Sequence, residues 1–61
     1  MGYRRYLFVL WCEIGDKSSY YNLEVSTDEM TTEFIRDVEE AVANYRSYDR
    51  CCVTNVIKLD N

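Results

Sequence analysis

Three cysteines, Cys12, Cys51 and Cys52, are the residues of this chain best suited to chemistry. A thiolate can ligate zinc or attack a disulfide, so three clustered thiols could form a metal site or a redox pair. However, the chain has no histidine and no cysteines in C-x-x-C spacing, and a standard four-ligand zinc site uses such partners. We therefore predict no metal and no cofactor, and we interpret the thiols as small buried hydrophobic side chains. A thiol-based metal or redox protein is the alternative.

Acidic residues recur at helical spacing in the second half of the chain: Glu29, Glu33, Asp37 and Glu40. On a helix this spacing places the carboxylates on one face. The simpler interpretation is a solvated helix face, stabilised at its N-terminal end by the helix dipole. The alternative is that the row imitates the phosphates of nucleic acid, which would make the protein an acidic nucleic-acid mimic or regulator acting on a basic partner.

The sequence provides little that could serve catalysis. There is no histidine to act as a general base, no glycine-rich loop to hold a phosphate and no recognised catalytic motif. The carboxylates fall on surfaces predicted to face solvent, and the chain has no second domain to complete a cleft. We predict a protein that is not an enzyme and has no catalytic residues.

Length and charge narrow the range of functions. The 61 residues are predicted to form a single domain, residues 1–61, and domains of this size often gain stability from a second subunit. The formal net charge of −4 argues against direct binding to nucleic acid or to an anionic membrane surface. Both kinds of binding need a surplus of lysine and arginine on one face.

Arg4 and Arg5 precede an apolar run from Tyr6 to Cys12, a pattern that superficially resembles an export signal. The run is short, and no small-residue cleavage site follows it. No segment reaches the roughly 20 apolar residues that cross a bilayer. We therefore expect a cytoplasmic protein with reduced thiols and no membrane partner.

The chain is predicted to form two strands, a helix and a third strand. Tyr3 to Ile14 is rich in β-branched and aromatic residues, and the sequence GDKSS after it indicates a turn. Ser19 to Val25 alternates between apolar and polar residues, as a strand with one wet face does. Cys51 to Leu59 is predicted to be the third strand.

Between the second and third strands the spacing of the apolar residues changes to that of a helix. The residues that form this amphipathic stripe are Met30, Phe34, Ile35, Val38, Ala41, Val42 and Tyr45. Ser26 and Glu29 fit a capping box at the start of the helix, and Thr31 is an alternative cap. The helix is predicted to end between Arg46 and Asp49, where polar residues replace the stripe.

Side-chain parity predicts which residues share the face that the helix covers. A turn centred on Asp16 and Lys17 would pair Ile14 with Ser19, Cys12 with Tyr21, Leu10 with Leu23 and Phe8 with Val25. The even residues of the first strand would then share one face with the odd residues of the second. The third strand would add Val53, Asn55, Ile57 and Leu59. Asn55 is the polar exception, and a β-bulge or an odd-length turn would invert the assignment.

The topology follows from the order of the elements. The second and third strands flank one helix, which favours a right-handed parallel crossover, and the first strand is the most apolar and belongs in the middle. We predict an α+β fold of ββαβ type, a three-stranded antiparallel or mixed sheet in the order 2-1-3 with one helix packed on one face. This order could bring Cys12 close to Cys51 or Cys52.

The sheet face away from the helix is the strongest indication of a binding surface. Leu7, Val9 and Trp11 lie on it in a row, and no further element is available to cover them. The residues predicted beside them are Tyr20, Asn22 and Glu24 on one side and Thr54, Val56 and Lys58 on the other. An apolar centre with a large aromatic side chain and a polar rim is typical of protein interfaces.

We therefore predict a protein-protein interaction module whose partner-binding residues are Leu7, Val9, Trp11, Tyr20 and Val56. The partner is predicted to be a second copy, which gives a homodimer, or an unidentified protein, or both. The alternative is an ordinary surface on which a few apolar residues are exposed and the stems of Arg5 and Lys58 cover them.

The layout as a whole resembles a group of known proteins. Two strands joined by a short polar turn, a capped helix containing FIRDVEEAV and a closing VTNVIKLD strand are similar to the very short uncharacterised proteins encoded by phages and prophages. The resemblance covers the whole length and is one of pattern and size. It implies a small accessory protein that acts by binding, such as an inhibitor of a host or defence protein, and it supplies no functional residues.

Overall fold

The three strands form one antiparallel sheet, and the helix packs on one of its faces. In the computed structural model, which describes residues 3–59, the elements are β1 (Arg4–Ile14), β2 (Lys17–Thr27), α1 (Thr32–Arg46) and β3 (Arg50–Leu59). The strand order is β2-β1-β3, so the most apolar strand lies in the middle. The predicted α+β fold and its strand order are confirmed. Asp60, the last residue of the VTNVIKLD segment, lies outside the described residues.

A two-residue turn joins β1 to β2 and fixes their register. Gly15 has a φ of 61°, and Asp16 completes the turn, as in type II′ hairpins, which place glycine at the first central position. Ile14 lies opposite Lys17 rather than Ser19, so the predicted register was wrong by two residues. A shift of two keeps the side-chain parity, and the predicted faces of β1 and β2 are therefore correct. The pairs on the helix side are Tyr6 with Val25, Phe8 with Leu23, Leu10 with Tyr21 and Cys12 with Ser19.

The helix begins directly after Thr31, whose hydroxyl caps it. Thr31 Oγ1 accepts a hydrogen bond from the Phe34 amide at 3.0 Å. Ser26 lies in β2, which continues to Thr27, so the predicted capping box of Ser26 and Glu29 was wrong and the alternative cap was right. The buried Thr27 hydroxyl donates to the Glu29 carbonyl and accepts from the Glu29 amide, and this pair of hydrogen bonds holds the turn between strand and helix.

The helix ends at Arg46, within the predicted range, and a short loop leads to β3. Ser47 takes the left-handed conformation with a φ of 59°. Asp49 ties this loop to the hairpin turn. Its amide donates to the Glu13 carbonyl and its carboxylate accepts from the Gly15 amide, both at 2.8 Å. These two hydrogen bonds hold the loop between α1 and β3 against the turn between β1 and β2.

A β-bulge in β3 reverses its side-chain faces partway along the strand. Asn55 lies opposite Val9 but Val53 lies opposite Leu10, which leaves Thr54 as the extra residue. The Thr54 hydroxyl donates to the Val9 carbonyl at 3.1 Å and so ties the bulge to β1. Residues on either side of Thr54 therefore follow opposite parities.

The bulge corrects the predicted faces of β3. Val53 is on the helix side as predicted, but Asn55, Ile57 and Leu59 are not. Val56 lies opposite Phe8 and packs against the core, so its predicted place on the other face was wrong. The physical reason is that the extra residue moves the polar Asn55 out of the core side and brings an apolar side chain in.

The core lies between β1 and α1. Three side chains of β1 are fully buried: Phe8, Leu10 and Cys12. The other buried members of the core are Val38, Val42 and Cys51. Phe34 packs edge-to-face on Phe8 with ring centroids 6.3 Å apart. Ala41 and Tyr45 of the predicted stripe are exposed, since α1 packs most closely against β3.

Within residues 3–59, no helix has the length and apolar composition that crossing a membrane requires.

Two substitutions distinguish the two candidate helix caps. Thr31→Ala removes the acceptor of the Phe34 amide and is expected to lower the free energy of unfolding by about 1 kcal/mol. Ser26→Ala, at an exposed strand position, is expected to change it by less than about 0.5 kcal/mol. Urea unfolding followed by circular dichroism measures both. An equal loss in the two variants, or a larger loss for Ser26→Ala, would contradict the assignment of Thr31 as the cap.

Candidate functional site

The sheet face that α1 does not cover, which we call the open face, carries the odd-numbered residues of β1. Leu7, Val9 and Trp11 lie there in a row, and each is partly exposed. They are contiguous because residues two apart on a strand point to the same face. Within residues 3–59, α1 is on the other side of the sheet and no other element lies over this row.

Tyr20 of β2 extends the row sideways. It lies directly opposite Trp11, and the two rings meet edge-to-face with centroids 4.9 Å apart. Tyr20 is 64% exposed, so its ring covers one side of the indole and leaves its own outer surface free. An aromatic pair of this kind provides a large contact area with few rotatable bonds. The prediction that Tyr20 lies on this face is therefore correct, although the predicted register placed Asn22 rather than Tyr20 opposite Trp11.

The bulge supplies apolar residues on the open face that the sequence reasoning missed. They are Ile57 and Leu59; Cys52, which precedes the bulge, lies on this face as well. Ile57 lies directly opposite Leu7, is 42% exposed and takes the role that was predicted for Val56. Lys58, which was expected to shield this face, lies on the helix side. Asn55 was the available signal, because a polar residue at a core parity indicates a bulge nearby.

Charged side chains close both ends of the open face. At one end, Arg5 Nη1 and Glu24 Oε2 are 3.0 Å apart, with about half of each side chain exposed. An exposed pair of this kind adds little stability, so its position matters more than its strength. At the other end, Glu13 accepts a hydrogen bond from Trp11 Nε1 at 3.3 Å and lies opposite Arg50. Along β1 the order is therefore a positive charge, three apolar residues and a negative charge.

The helix side of the sheet brings two of the three cysteines together. Cys12 and Cys51 are buried and directly opposite in register, and their Sγ atoms are 3.0 Å apart. Cys52 is the next residue along β3 and faces the open side instead. The three thiols therefore do not converge on one point. In the part of the chain that the structure describes, no group of three or more Cys, His, Asp or Glu residues could hold a metal ion.

The pKa of the Cys51 thiol is raised from its ordinary value of 9.0 to about 12. Burial is the largest cause, and the hydrogen bond to Cys12 and repulsion from Cys12, Cys52 and Glu39 contribute the rest. Cys51 is therefore a protonated thiol at neutral pH. A protonated thiol is a poor nucleophile and a poor metal ligand, so the pair does not act as a ready-made catalytic group.

The acidic row is shorter than the sequence indicated. Glu33, Asp37 and Glu40 are exposed on α1, as a solvated face requires. Glu29 precedes the helix and lies in the turn after β2, so it does not continue the row on the same element. Binding of a basic partner by this face stays a prediction.

The two edges of the sheet are protected unequally. At β3, the Val53 amide donates to the Glu39 carboxylate of α1 at 2.8 Å, and the bulge interrupts the strand. β2 pairs with β1 over all its 11 residues without a bulge. On its helix side lies a groove of about 480 Å³, lined by Tyr21, Leu23, Ala41, Val42 and Tyr45. The outer edge of β2 is thus the more open to an added strand.

The raised pKa of Cys51 predicts a loss of stability at alkaline pH. Well below pH 9.0 the thiol is protonated in both the folded and the unfolded chain, so the pKa difference has no effect there. Between pH 9.0 and about 12 only the unfolded chain ionises, so stability is expected to fall as the pH rises. In reducing buffer, the free energy of unfolding of the wild type should fall more steeply than that of Cys51→Ala, by roughly 1 kcal/mol per pH unit.

Val38→Ala is the matched control for this experiment. It also shortens a buried core side chain but removes no ionisable group. Urea unfolding at a series of pH values should give a profile for Val38→Ala that is displaced from the wild type and parallel to it. If the Cys51→Ala profile is parallel to the wild type as well, the pKa of Cys51 is not raised in the folded chain.

Comparison of the chain with protein-family models, with curated proteins and with solved structures found no match. The interpretation of function therefore depends on the chemistry of the surfaces themselves. Among them, the open face joins apolar side chains from all three strands, and its central strand has Arg5 at one end and Glu13 at the other.

Proposed function

We propose that this protein is a non-enzymatic interaction module and that its open face binds a second copy of the same chain. The observation that carries the proposal is the apolar strip across all three strands, with the Trp11 and Tyr20 rings packed together within it. Single exposed apolar residues are ordinary on a protein surface. A contiguous strip that includes a large aromatic pair is typical of a surface that another protein covers.

The order of charges along β1 favours one arrangement of the two copies. Consider a two-fold axis that lies between the two facing sheets, runs perpendicular to β1 and passes over Val9. This axis makes the two β1 strands antiparallel. It places Arg5 over the partner's Glu13 and Leu7 over the partner's Trp11, because each pair lies equally far from Val9 along the strand. An axis along the strand would stack Arg5 on Arg5 and Glu13 on Glu13, which like-charge repulsion disfavours. The antiparallel dimer is therefore the one we propose.

The size of the open face predicts a weak dimer. From Arg5 to Glu13 the face is about 26 Å long at ~3.3 Å per residue, and three strands make it about 14 Å wide. The resulting area of ~370 Å² per copy is well below the ~800 Å² per partner of a standard stable interface. We therefore expect dissociation in the micromolar range or weaker.

The resemblance to short phage and prophage proteins supports a biological role for the open face. An accessory protein or inhibitor that acts in the cytoplasm by binding would use an accessible, weakly self-associating surface of this kind. A second copy held weakly can be displaced by a partner that makes better contacts. This biological role stays a prediction.

Trp11→Glu is expected to abolish self-association. A carboxylate within the strip would lose its water when the two faces meet, and desolvation of an unpaired charge is costly. Light scattering over a hundredfold concentration range that reaches ~1 mM should show the wild type passing from monomer to dimer. Trp11→Glu should stay a monomer throughout that range.

Tyr45→Glu is the matched control, because it makes the same kind of change on α1 at a residue that is 78% exposed. It should dimerise as the wild type does, and circular dichroism should show that both variants are folded. A dimer that survives Trp11→Glu would place the interface elsewhere, with the outer edge of β2 as the next candidate. A wild type that is monomeric at every concentration would overturn self-association and leave a different protein as the partner.

Charge reversal tests the orientation of the dimer. Arg5→Glu and Glu13→Arg are each expected to weaken association by about fivefold, because each places like charges over one another. The double variant restores opposite charges across the interface and is expected to recover most of the wild-type affinity. If the double variant is as weak as the two single effects combined, the antiparallel arrangement is wrong, although the open face can still be the interface.

A further inference from the structure

We propose that Cys12 and Cys51 are an oxidation site, at which a small-molecule disulfide of the glutathione type converts the two buried thiols into an intramolecular disulfide between β1 and β3. The reaction forms the Sγ-Sγ bond between Cys12 and Cys51. Their two protons and two electrons pass to the small disulfide, whose S-S bond breaks to release two thiol molecules. The site is separate from the open face because both thiols lie on the helix side of the sheet.

The backbone already provides the separation that a disulfide needs. Residues directly opposite in an antiparallel pair have Cα atoms about 4.5–5.5 Å apart, which is inside the ~4.4–6.8 Å range of disulfides. Cys12 and Cys51 are such a pair, and their sulfur atoms already point at each other at 3.0 Å. Bond formation therefore requires a short approach of the two sulfur atoms and leaves the register of the strands unchanged.

Cys52 does not compete for Cys12 in the folded chain. It points to the open face, where it lies opposite Trp11, while Cys12 points to the core. Cys52 is also the most accessible of the three thiols, because Cys12 and Cys51 are buried. A reagent that reaches Cys52 can form a mixed disulfide there, but the sheet separates that sulfur from the buried pair. Cys52 thus reports on reagent access, independently of the bond between the other two.

Burial makes the reaction slow in the folded protein. Cys12 is 0% exposed and Cys51 8% exposed, so the small disulfide reaches them only when β3 opens or while the chain is folding. The protonated state of Cys51 slows the exchange further, because a thiolate is the attacking species. Once formed, the bond is shielded from reducing thiols by the same packing. Its presence would record that the chain folded or opened under oxidising conditions.

The bond should stabilise the fold. It would join residues 39 positions apart in the sequence and so restrict the unfolded chain strongly. In a domain this small the melting temperature of the oxidised form is expected to exceed that of the reduced form by about 10 °C or more. The increase should disappear when a strong reductant is added to the unfolded chain and the protein is refolded.

The test uses the full chain in a buffer of oxidised and reduced glutathione, once with folded protein and once during refolding from urea. After an acid quench, free thiols are alkylated and counted by intact-protein mass. The expected product has lost two hydrogen atoms and has Cys52 alone either alkylated or carrying glutathione. Cys52→Ala should form the same disulfide and retain no free thiol, whereas Cys51→Ala should form none.

Several results would overturn the proposal. One is a wild type that still has three free or glutathione-bound cysteines after refolding in the oxidising buffer. Another is a Cys51→Ala variant that joins Cys12 to Cys52 as readily as the wild type forms its bond. A third is an oxidised protein that melts no higher than the reduced one. Oxidation during refolding with slow oxidation of the folded chain would support the site and the protection by burial.

Discussion

The architecture of this protein depends on one constraint: a three-stranded sheet has two faces, and the described part of the chain supplies one helix to cover them. The central strand β1 is apolar on both faces, so covering one of them completely leaves a row of apolar residues on the other. On the helix side, burial of Phe8 and Leu10 forms the core and stabilises the fold. On the open face, Leu7, Val9 and Trp11 retain apolar area that no element within residues 3–59 buries.

The helix does not cover even its own side of the sheet evenly. An α-helix is about 10 Å across, whereas three strands make a surface about 14 Å wide. α1 packs toward β3, where the Glu39 carboxylate satisfies the Val53 amide and so protects that edge. This position leaves a groove beside β2. The outer edge of β2 is therefore less protected than the edge of β3. Both the open face and β2 are therefore surfaces on which a partner can complete the structure.

The sequence predicted the features that depend on parity and missed those that depend on a single inserted residue. The two-residue error at the hairpin was harmless, because a shift of two leaves every side chain on its predicted face. Gly15 followed by Asp16 fits a type II′ turn and predicts the correct register, whereas a turn centred on Asp16 and Lys17 predicts one that is shifted by two residues. The choice between Ser26 and Thr31 as the cap depended on how far β2 pairs with β1. Local sequence does not reveal that extent.

The bulge at Thr54 could not be predicted from the sequence, for a different reason. Asn55 indicated that a strict alternation placed a polar residue in the core, but Thr54 is polar too, and either could be the inserted residue. The choice is made by tertiary packing and by the hydrogen bond from the Thr54 hydroxyl to the Val9 carbonyl. Contacts of long side chains, such as Arg5 with Glu24, likewise follow from the final register rather than from any local pattern.

The same bulge connects the thiol pair to the open face. On the N-terminal side of the bulge in β3, Cys51 pairs with Cys12. On its C-terminal side, the register between β3 and β1 is shifted by one residue. If the second register extended along the whole strand, Cys52 would face Cys12, and Thr54 would replace Val53 on the core side. The observed arrangement puts the apolar Val53 and Val56 inward on the two sides of the inserted residue, so core packing opposes that slip. A bond from Cys12 to Cys51 would fix the register at one end of β3 and thereby help to hold the alternation that presents Ile57 and Leu59 on the open face.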